Sequence, residues 1–337
     1  MKKAAIVLTV LIAAVLVVGG VIIWQRAIIK QPLSQKKVFR VGLLQMAPVV
    51  SQNMDGFKAG MEELGYKEGE NITYDYRDAQ GDLEKLKTYA KELVAEKPDM
   101  IFVNTSPATL EVKEATKGTN IPVVFSMVAD PIGAGLVNSV QSSGNNLTGT
   151  SCAYIEIAPK RIEVLHEVAP KVKKVLVFNR PEDKSAGPCT DAIVAKGNEL
   201  GLDIIPYKIS KKEDIEAKLK TLQPGEVDAI MDPGDSMVSS AVDTIIQYAN
   251  QLKIPYIALS KGEVDRGATV GYAVDYVDLG KQTSLIANQV LSGINPADIP
   301  FEQPRRWYYA INLKTAQQIG LTVPQNEIEK ADYVIMK

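Results

Sequence analysis

From Val38 onward the chain alternates between apolar runs of strand length and runs with helical spacing. "VFRVGLLQM" is an apolar run bounded by polar residues, the pattern of a buried strand. "SQNMDGFKAGMEELGY" places Met54, Phe57, Met61 and Leu64 on one helical face, with Gly65 at its stop. "NITYDYRDA" predicts a strand. "DLEKLKTYAKELVAEK" predicts a helix with Leu83, Leu86, Ala90 and Leu93 on one side. "DMIFVNT", "PATLEVKEATKG" and "IPVVFSMV" continue as strand, helix, strand. Such alternation gives βαβ units with right-handed crossovers and a parallel sheet.

The pattern then begins again. "VKKVLVF", "TDAIVAKGNELG", "LDIIPYKI", "KKEDIEAKLKTL", "VDAIMDP", "SSAVDTIIQYANQL" and "IPYIAL" predict strands and helices in the same succession. "DLEKLKTYAKELVAEKPDMIFVNTSPATLE" aligns with "DIEAKLKTLQPGEVDAIMDPGDSMVSS". Each has an acidic-capped helix, a buried strand and a polar turn into another helix. A repeat of this length means two similar domains rather than a solenoid. The fold class expected is α/β, two Rossmann-like lobes with parallel sheets. Joining segments are expected at 145–156 and 266–280. The helix "YVDLGKQTSLIANQVLSG" returns to the first lobe, and "FEQPRRWYYAIN" crosses a third time. This divides the chain into 1–37, a first lobe of 38–150 plus 273–300, and a second lobe of 151–272 plus 301–337.

One stretch stands outside this pattern. Ala4–Trp24 carries no charge and follows Lys2 and Lys3. At about 1.5 Å per residue it is long enough to span a bilayer core of about 30 Å. It exceeds the apolar region of a secretory signal, lacks a small-residue cleavage pattern and contains no cysteine for lipid attachment. It reads as an N-terminal transmembrane signal anchor, with a cleaved signal as the alternative, and "QRAIIKQPLSQKK" as its tether. This places the two lobes on the extracytoplasmic face of the cell membrane, or makes them periplasmic or secreted if the signal is cut. Residues 1–37 hold six basic and no acidic residues, which leaves 32 Lys+Arg against 40 Asp+Glu, a net of −8. An acidic outer region argues against a nucleic-acid partner. Cys152 and Cys189 are too few for a disulfide scaffold, and whether they pair is open.

Signs of catalysis are sparse. The single histidine, His166, lies in "KRIEVLHEVAP" and reads as a half-exposed helical residue. No G-x-S-x-G, H-E-x-x-H, C-x-x-C or phosphate-binding P-loop pattern is present. "GAGLVN" has Asn where a dinucleotide motif needs its third glycine, and reads as a turn leading into a short helix. No acid–base pair stands out, no metal site is expected, and no cofactor is implied. Two tandem lobes without a nucleophile–base pair point to binding, not turnover.

Ligands of open α/β sheets sit at the carboxyl ends of the strands, so the turns there are the candidate site. In "NTSPATLE" Pro107 suits the first helical position, which makes Ser106 the N-cap. The helix end carries about half a positive charge, and the amides of Ala108 and Thr109 would suit a carboxylate or phosphate. Thr105 and Ser106 can add hydroxyl donors. The other reading is a plain serine cap facing water. In the second lobe "DPGDSM" sets Asp232 and Asp235 at a strand end. Asp235 facing that helix tip would suit a zwitterion, with its ammonium on the carboxylate. Alternatively Asp235 caps its own helix, while Asp232 fixes the turn.

From Val38 to about Pro324 the chain resembles the tryptophan/tyrosine-type family of bacterial ABC-transporter substrate-binding proteins. The stretches that carry the resemblance are "DGFKAGMEELGYKEGENITYDYRDAQGD", "TSPATLEVKEATKGTNIPVVFSMVADPIGAGLV", "SGNNLTGTS" and "DRGATVGYAVDYVDLGKQ". The resemblance implies a type I periplasmic-binding-protein fold. It also implies a small ligand, an amino acid of aromatic or apolar kind, closed between two lobes by hinge motion. The partners implied are an ABC permease and, through it, a cytoplasmic ATPase, with the binding protein monomeric. A ligand sensor handing its closed state to a receptor or kinase is the alternative. Matching positions are Gln45 at a strand end, Thr105 and Ser106 on a Thr/Ser-Pro-Ala turn, and Ser126 at the end of "VVFSMV". Asn179 and Ser185 fall on the turn after "VKKVLVF", and Asp235 and Ser236 on an Asp-Asn pair, with serine replacing asparagine. Cys152 stands where many members carry Asp, and the loop after Gln45 lacks their His-Pro. If Cys152 lines the site, the pocket has lost a charge that could hold an ammonium.

Overall fold

The computed structural model describes residues 37–183 and 186–336. The expected membrane anchor, Ala4–Trp24, and the expected site residue Ser185 lie outside the described residues. Among the described residues no helix is long and apolar enough to cross a membrane.

Strands β1 (Phe39–Gln45), β2 (Ile72–Asp78), β3 (Met100–Asn104), β4 (Val123–Val128) and β5 (Leu147–Ser151) form one parallel sheet in the order β2-β1-β3-β4-β5. Strands β6 (Lys174–Asn179), β7 (Asp203–Lys208), β8 (Ala229–Met231), β9 (Tyr256–Ser260) and β10 (Val270–Val274) repeat that order as β7-β6-β8-β9-β10. The repeat read from the sequence is thus a repeat of strand order. The second sheet is extended by β11 (Tyr308–Asn312), antiparallel to β10, and β12 (Tyr333–Ile335), parallel to β11.

Helices cover both sheets. Around the first lie α1 (Ser51–Glu63), α2 (Leu83–Ala95) and α3 (Ser106–Ala115). Around the second lie α4 (Tyr154–Val168), α5 (Ala186–Glu199), α6 (Lys212–Thr221), α7 (Ser236–Ser239), α8 (Val242–Leu252) and α9 (Lys261–Asp265). In the inner strands β1, β3, β4, β6, β8 and β9 side chains alternate and are buried on both faces, which is why these strands read as continuous apolar runs, whereas the edge strands β2, β7 and β12 are partly exposed. In β3, Ile101 and Val103 face one core with Leu86, Ala90 and Val112, while Met100 and Phe102 face the other with Met54, Phe57 and Met61. In β6, Val175 and Val177 pack with Ile162 and Leu165, and Leu176 and Phe178 with Ile215, Leu219 and Ile245.

After β10 the chain returns to the first sheet as α10 (Tyr276–Leu291), as expected from its sequence. Ile286, Ala287 and Val290 pack against Met54, Phe57 and Met61. Glycines permit a close approach: a Cβ on Gly56 would lie 2.2 Å from the Val277 carbonyl oxygen, and one on Gly280 2.1 Å from that of Asn53. The chain ends with α11 (Leu313–Ile319) and α12 (Gln325–Lys330) on the second lobe. It therefore passes between the sheets at 151–153, at 274–276 and between Phe301 and Tyr308.

Two local expectations are corrected. The stretch 133–138 contains turns and bends but no helix, because Asp130 Oδ1 accepts from the amides of Ile132 and Gly133 and closes a local turn. The helix expected over 239–252 starts at Val242, with the one-turn α7 before it.

Candidate functional site

Both sheets have the strand order of doubly wound folds, with a switch point between β1 and β3 in one lobe and between β6 and β8 in the other. The carboxyl ends of those strands face a common crevice. Its inner chamber, about 40 Å³, is walled on one side by Val50, Thr105, Ser106, Pro107, Met127 and Ala129. The other side is Tyr154, Arg180, Asp183, Gly234, Ser236, Ser239 and Tyr276. That volume holds about three waters. A wider space of about 730 Å³ adjoins it and shares Pro107, Arg180, Ser236 and Ser239 in its wall. Met46, Pro48, Leu83, Met237 and Val242 give this vestibule apolar surface, and its charged lining is mixed, with Lys211, Lys212 and Arg266 beside Asp82, Glu213 and Asp243.

On the first lobe's side the wall is built by the β3–α3 turn. Thr105, not Ser106, is the residue before the helix; Ser106 and Pro107 are its first two residues. The reason is that Thr105 turns the chain out of the strand, at φ +76° and ψ 151°. The amide of Thr109, expected to face a ligand, instead donates to the Thr105 carbonyl at 3.1 Å. Thr105 Oγ1 is buried and unpartnered, and its residue lines the chamber. Ser106 Oγ accepts from the Ala129 amide at 3.3 Å, tying this turn to the end of β4.

On the second lobe's side the wall is built by the turns after β6 and β8. Asp232 fixes the latter: Oδ1 accepts from the amides of Gly234 and Asp235, and Oδ2 from Ser239 Oγ. Asp235 caps α7 by accepting from the Met237 and Val238 amides at 2.7 and 3.3 Å. It also meets Arg180 side-on, Nε to Oδ2 at 2.6 Å and Nη2 to Oδ1 at 3.0 Å. The Asp235 side chain is wholly buried, and Arg180 is 20% exposed toward the chamber. Arg180 Nη2 also lies 3.0 Å from Asp183 Oδ2. Burial alone would lower the arginine pKa; its bonds to Asp235 and the charges of Asp235 and Asp183 outweigh that and raise it.

The chamber floor is aromatic. Tyr154 follows the first crossing and Tyr276 the second, and their hydroxyls meet at 3.0 Å. Burial holds both phenols well above their usual pKa, so both stay protonated. Gly234, at φ +105°, lies against Tyr154: a Cβ there would sit 2.9 Å from its Cδ2.

Of the residues expected in the site, Thr105, Ser106 and Ser236 line the chamber. Asp235 stands directly behind it, committed to Arg180 and to its helix cap. The other described ones lie off the lining. Gln45 Nε2 donates to Ser51 Oγ and Asp78. Ser126 shares a buried hydroxyl triangle with Thr150 and Thr283. Asn179 Oδ1 accepts from Thr190 Oγ1. Cys152 and Cys189 are free thiols in one apolar cluster with Met127, Tyr154 and Tyr276. Burial raises both, Cys189 to about 12, so neither carries charge at neutral pH. Arg180, Asp183, Tyr154, Tyr276 and Met127 were not singled out from the sequence. The available signal was the "NRPED" turn for the first two and the starts of the two crossing helices for the tyrosines.

Residues 42–335 match a family model described as ABC transporter substrate binding protein. A tyrosine-binding protein of Clostridioides difficile is 31% identical over 267 residues, covering 79% of this chain and 76% of that protein. A Streptococcus ABC domain solved in complex with L-Trp is 28% identical, with a TM-score of 0.81 over 89% of this chain and 100% of that one. A ligand-free, open substrate-binding protein with adhesive properties from Clostridium difficile, also 28% identical and with the same coverage, has a TM-score of 0.64.

Proposed function

Because the chain belongs to the family of ABC transporter substrate-binding proteins, we propose that it is the extracytoplasmic binding component of an importer for a small apolar or aromatic amino acid or a close analogue. The observation that carries this reading is the chamber between the two switch points, with the buried, unpartnered Thr105 Oγ1 in its wall. A ligand carboxylate at the tip of α3 would give that hydroxyl a partner and meet the positive helix end. The apolar body would lie against Val50, Met127, Tyr154 and Tyr276, with the vestibule as its entry.

In this reading the lobes, 38–150 with 273–300 and 151–272 with 301–337, close about the three crossings. The greater similarity to the L-Trp complex than to the open, ligand-free relative supports a closed arrangement. A chamber of about 40 Å³ is smaller than an amino acid, so even with the vestibule as entry the lobes must part to admit a ligand. The closed form is delivered to a membrane permease served by a cytoplasmic ATPase, and no turnover of the ligand is involved. Residues 4–24 tether the protein to the membrane. The matched family is defined by transport, which favours an importer over a sensor.

Thermal unfolding with a panel of the twenty amino acids tests the reading. A ligand at a hundredfold excess over Kd stabilises by about 2.7 kcal/mol, which is about 4 °C for a protein of this size. No shift with any apolar or aromatic amino acid or its carboxylate analogue would refute it.

A further inference from the structure

The second lobe's wall holds two acidic residues close to the chamber, Asp183 and Asp235, and both are on the same arginine. Asp235 is saturated: Oδ1 accepts from two helix amides and from Arg180 Nη2, and Oδ2 from Arg180 Nε. Among the described residues that line the chamber, Asp183 is the one carboxylate. Its Oδ1 accepts from the Ala186 amide at 2.9 Å and its Oδ2 meets Arg180 Nη2. Asp232, next along, is spent on its own turn. Cys152 brings a neutral thiol to the cluster beneath the chamber. The guanidinium therefore occupies the space between Asp183 and Asp235.

Building on the reading above, we infer that Arg180 substitutes for the ligand's ammonium. The cleft then selects a carboxylate with an apolar body and does not require an α-amino group. An ammonium entering this wall would face a like charge. To reach Asp235 it would have to displace a two-point, charge-assisted pair and leave a largely buried guanidinium short of partners. The opposite wall asks for the other end of the ligand. Thr105 Oγ1 is buried without a partner beside the positive end of α3, which is where a carboxylate is favoured. The substrate class is thus apolar and aromatic carboxylates, with and without the amine.

Matched pairs test this by isothermal titration calorimetry on the wild-type protein. The pairs are L-phenylalanine and 3-phenylpropanoate, L-tyrosine and 3-(4-hydroxyphenyl)propanoate, and L-tryptophan and 3-(indol-3-yl)propanoate. For a pair that binds, the amine-free acid is expected to bind at least as tightly as the amino acid, to within about fivefold. In Arg180→Gln, with Asp235 released, the amino acid should be preferred by about thirtyfold, the worth of one charge-assisted hydrogen bond. Arg180→Lys keeps the cation and should preserve the near-equality. A wild-type preference of about thirtyfold or more for the amino acid overturns the inference while leaving the binding reading intact. So does a preference that opens in Arg180→Lys as well. Binding of neither member of any pair overturns the binding reading, and the inference with it.

Discussion

The Arg180–Asp235 pair gives the sharpest test of the site's construction. Asp235 is wholly buried and Arg180 is 20% exposed, with two nitrogen–oxygen contacts at 2.6 and 3.0 Å. Two unit charges about 4 Å apart interact by about 4 kcal/mol at the effective dielectric of a partly buried site. Asp235→Asn keeps an oxygen for the Met237 and Val238 amides, so the cap survives and the lost charge partner dominates. Arg180→Gln leaves a buried carboxylate with only those two amides for support. Each single variant should lose about 2–4 kcal/mol, because an uncompensated buried charge remains. The double variant removes both charges and should regain part of that loss, for a coupling energy of about 2–4 kcal/mol. Urea unfolding of the four proteins measures it. A coupling below about 0.5 kcal/mol, the value of an exposed pair, would refute the argument that Arg180 is fixed by Asp235. Asp235→Ala should fall about 1 kcal/mol below Asp235→Asn, because it loses the cap as well.

Four further outcomes follow from the structure. Gly234→Ala puts a Cβ 2.9 Å from the Tyr154 ring at φ +105°; it should cost about 2–4 kcal/mol and weaken ligand binding. Gly65→Ala has φ +91° with nothing near, and should cost only the strain, about 1 kcal/mol, by the same thermal unfolding assay. Burial, followed by the charge of Glu263, raises Asp232 from 3.8 to about 7. Its folded pKa exceeds its unfolded one, so this contribution is full below about pH 4 and is lost as pH rises through about 7. Melting temperatures of wild type and Asp232→Asn should accordingly diverge in the variant's favour between pH 4 and 7.5, and a constant difference would refute the assignment. Thr105→Gly should raise the ligand-free melting point by relief of backbone strain and of the buried unpaired hydroxyl, about 2 kcal/mol or more together, while calorimetry shows weaker ligand binding through loss of Oγ1.

The lobes were legible because parallel strands buried on both faces write long apolar runs, and their helices write a 3.6-residue period. The internal repeat was legible for the same reason, and it returned as identical strand order in the two sheets. Facing was harder to read. Gln45, Ser126 and Asn179 sit at carboxyl ends of strands, where site residues were sought. Yet a strand presents side chains to alternate faces, and these three hydrogen-bond to Ser51, Thr150 and Thr190 within their own lobes. For Asp235 the sequence suggests an ammonium contact, with capping of its own helix as the alternative, and the structure shows that it is the cap. Its second partner, Arg180, lies 55 residues earlier in the chain, and nothing in local patterning joins the two. The tyrosines were missed because residues at a crossing look like the start of any amphipathic helix; only the meeting of two crossings makes them a floor.

Backbone strain bears on where the ligand sits. Thr105 at φ +76° and Met127 at φ +56° both line the chamber, and Ala153 at φ +47° immediately precedes Tyr154, which also does. Glycine would adopt each of these conformations freely, whereas other residues pay about 1–3 kcal/mol. Thr105 carries a second cost in its buried, unpartnered hydroxyl, about 1–3 kcal/mol. A sequence tuned for stability alone would shed both costs with one substitution to glycine. In the proposed reading the hydroxyl cost is recovered when an acceptor enters the chamber beside Thr105. Under that reading, part of the binding free energy would come from giving this hydroxyl its missing partner, which would let a chamber lined by few charged groups favour a carboxylate.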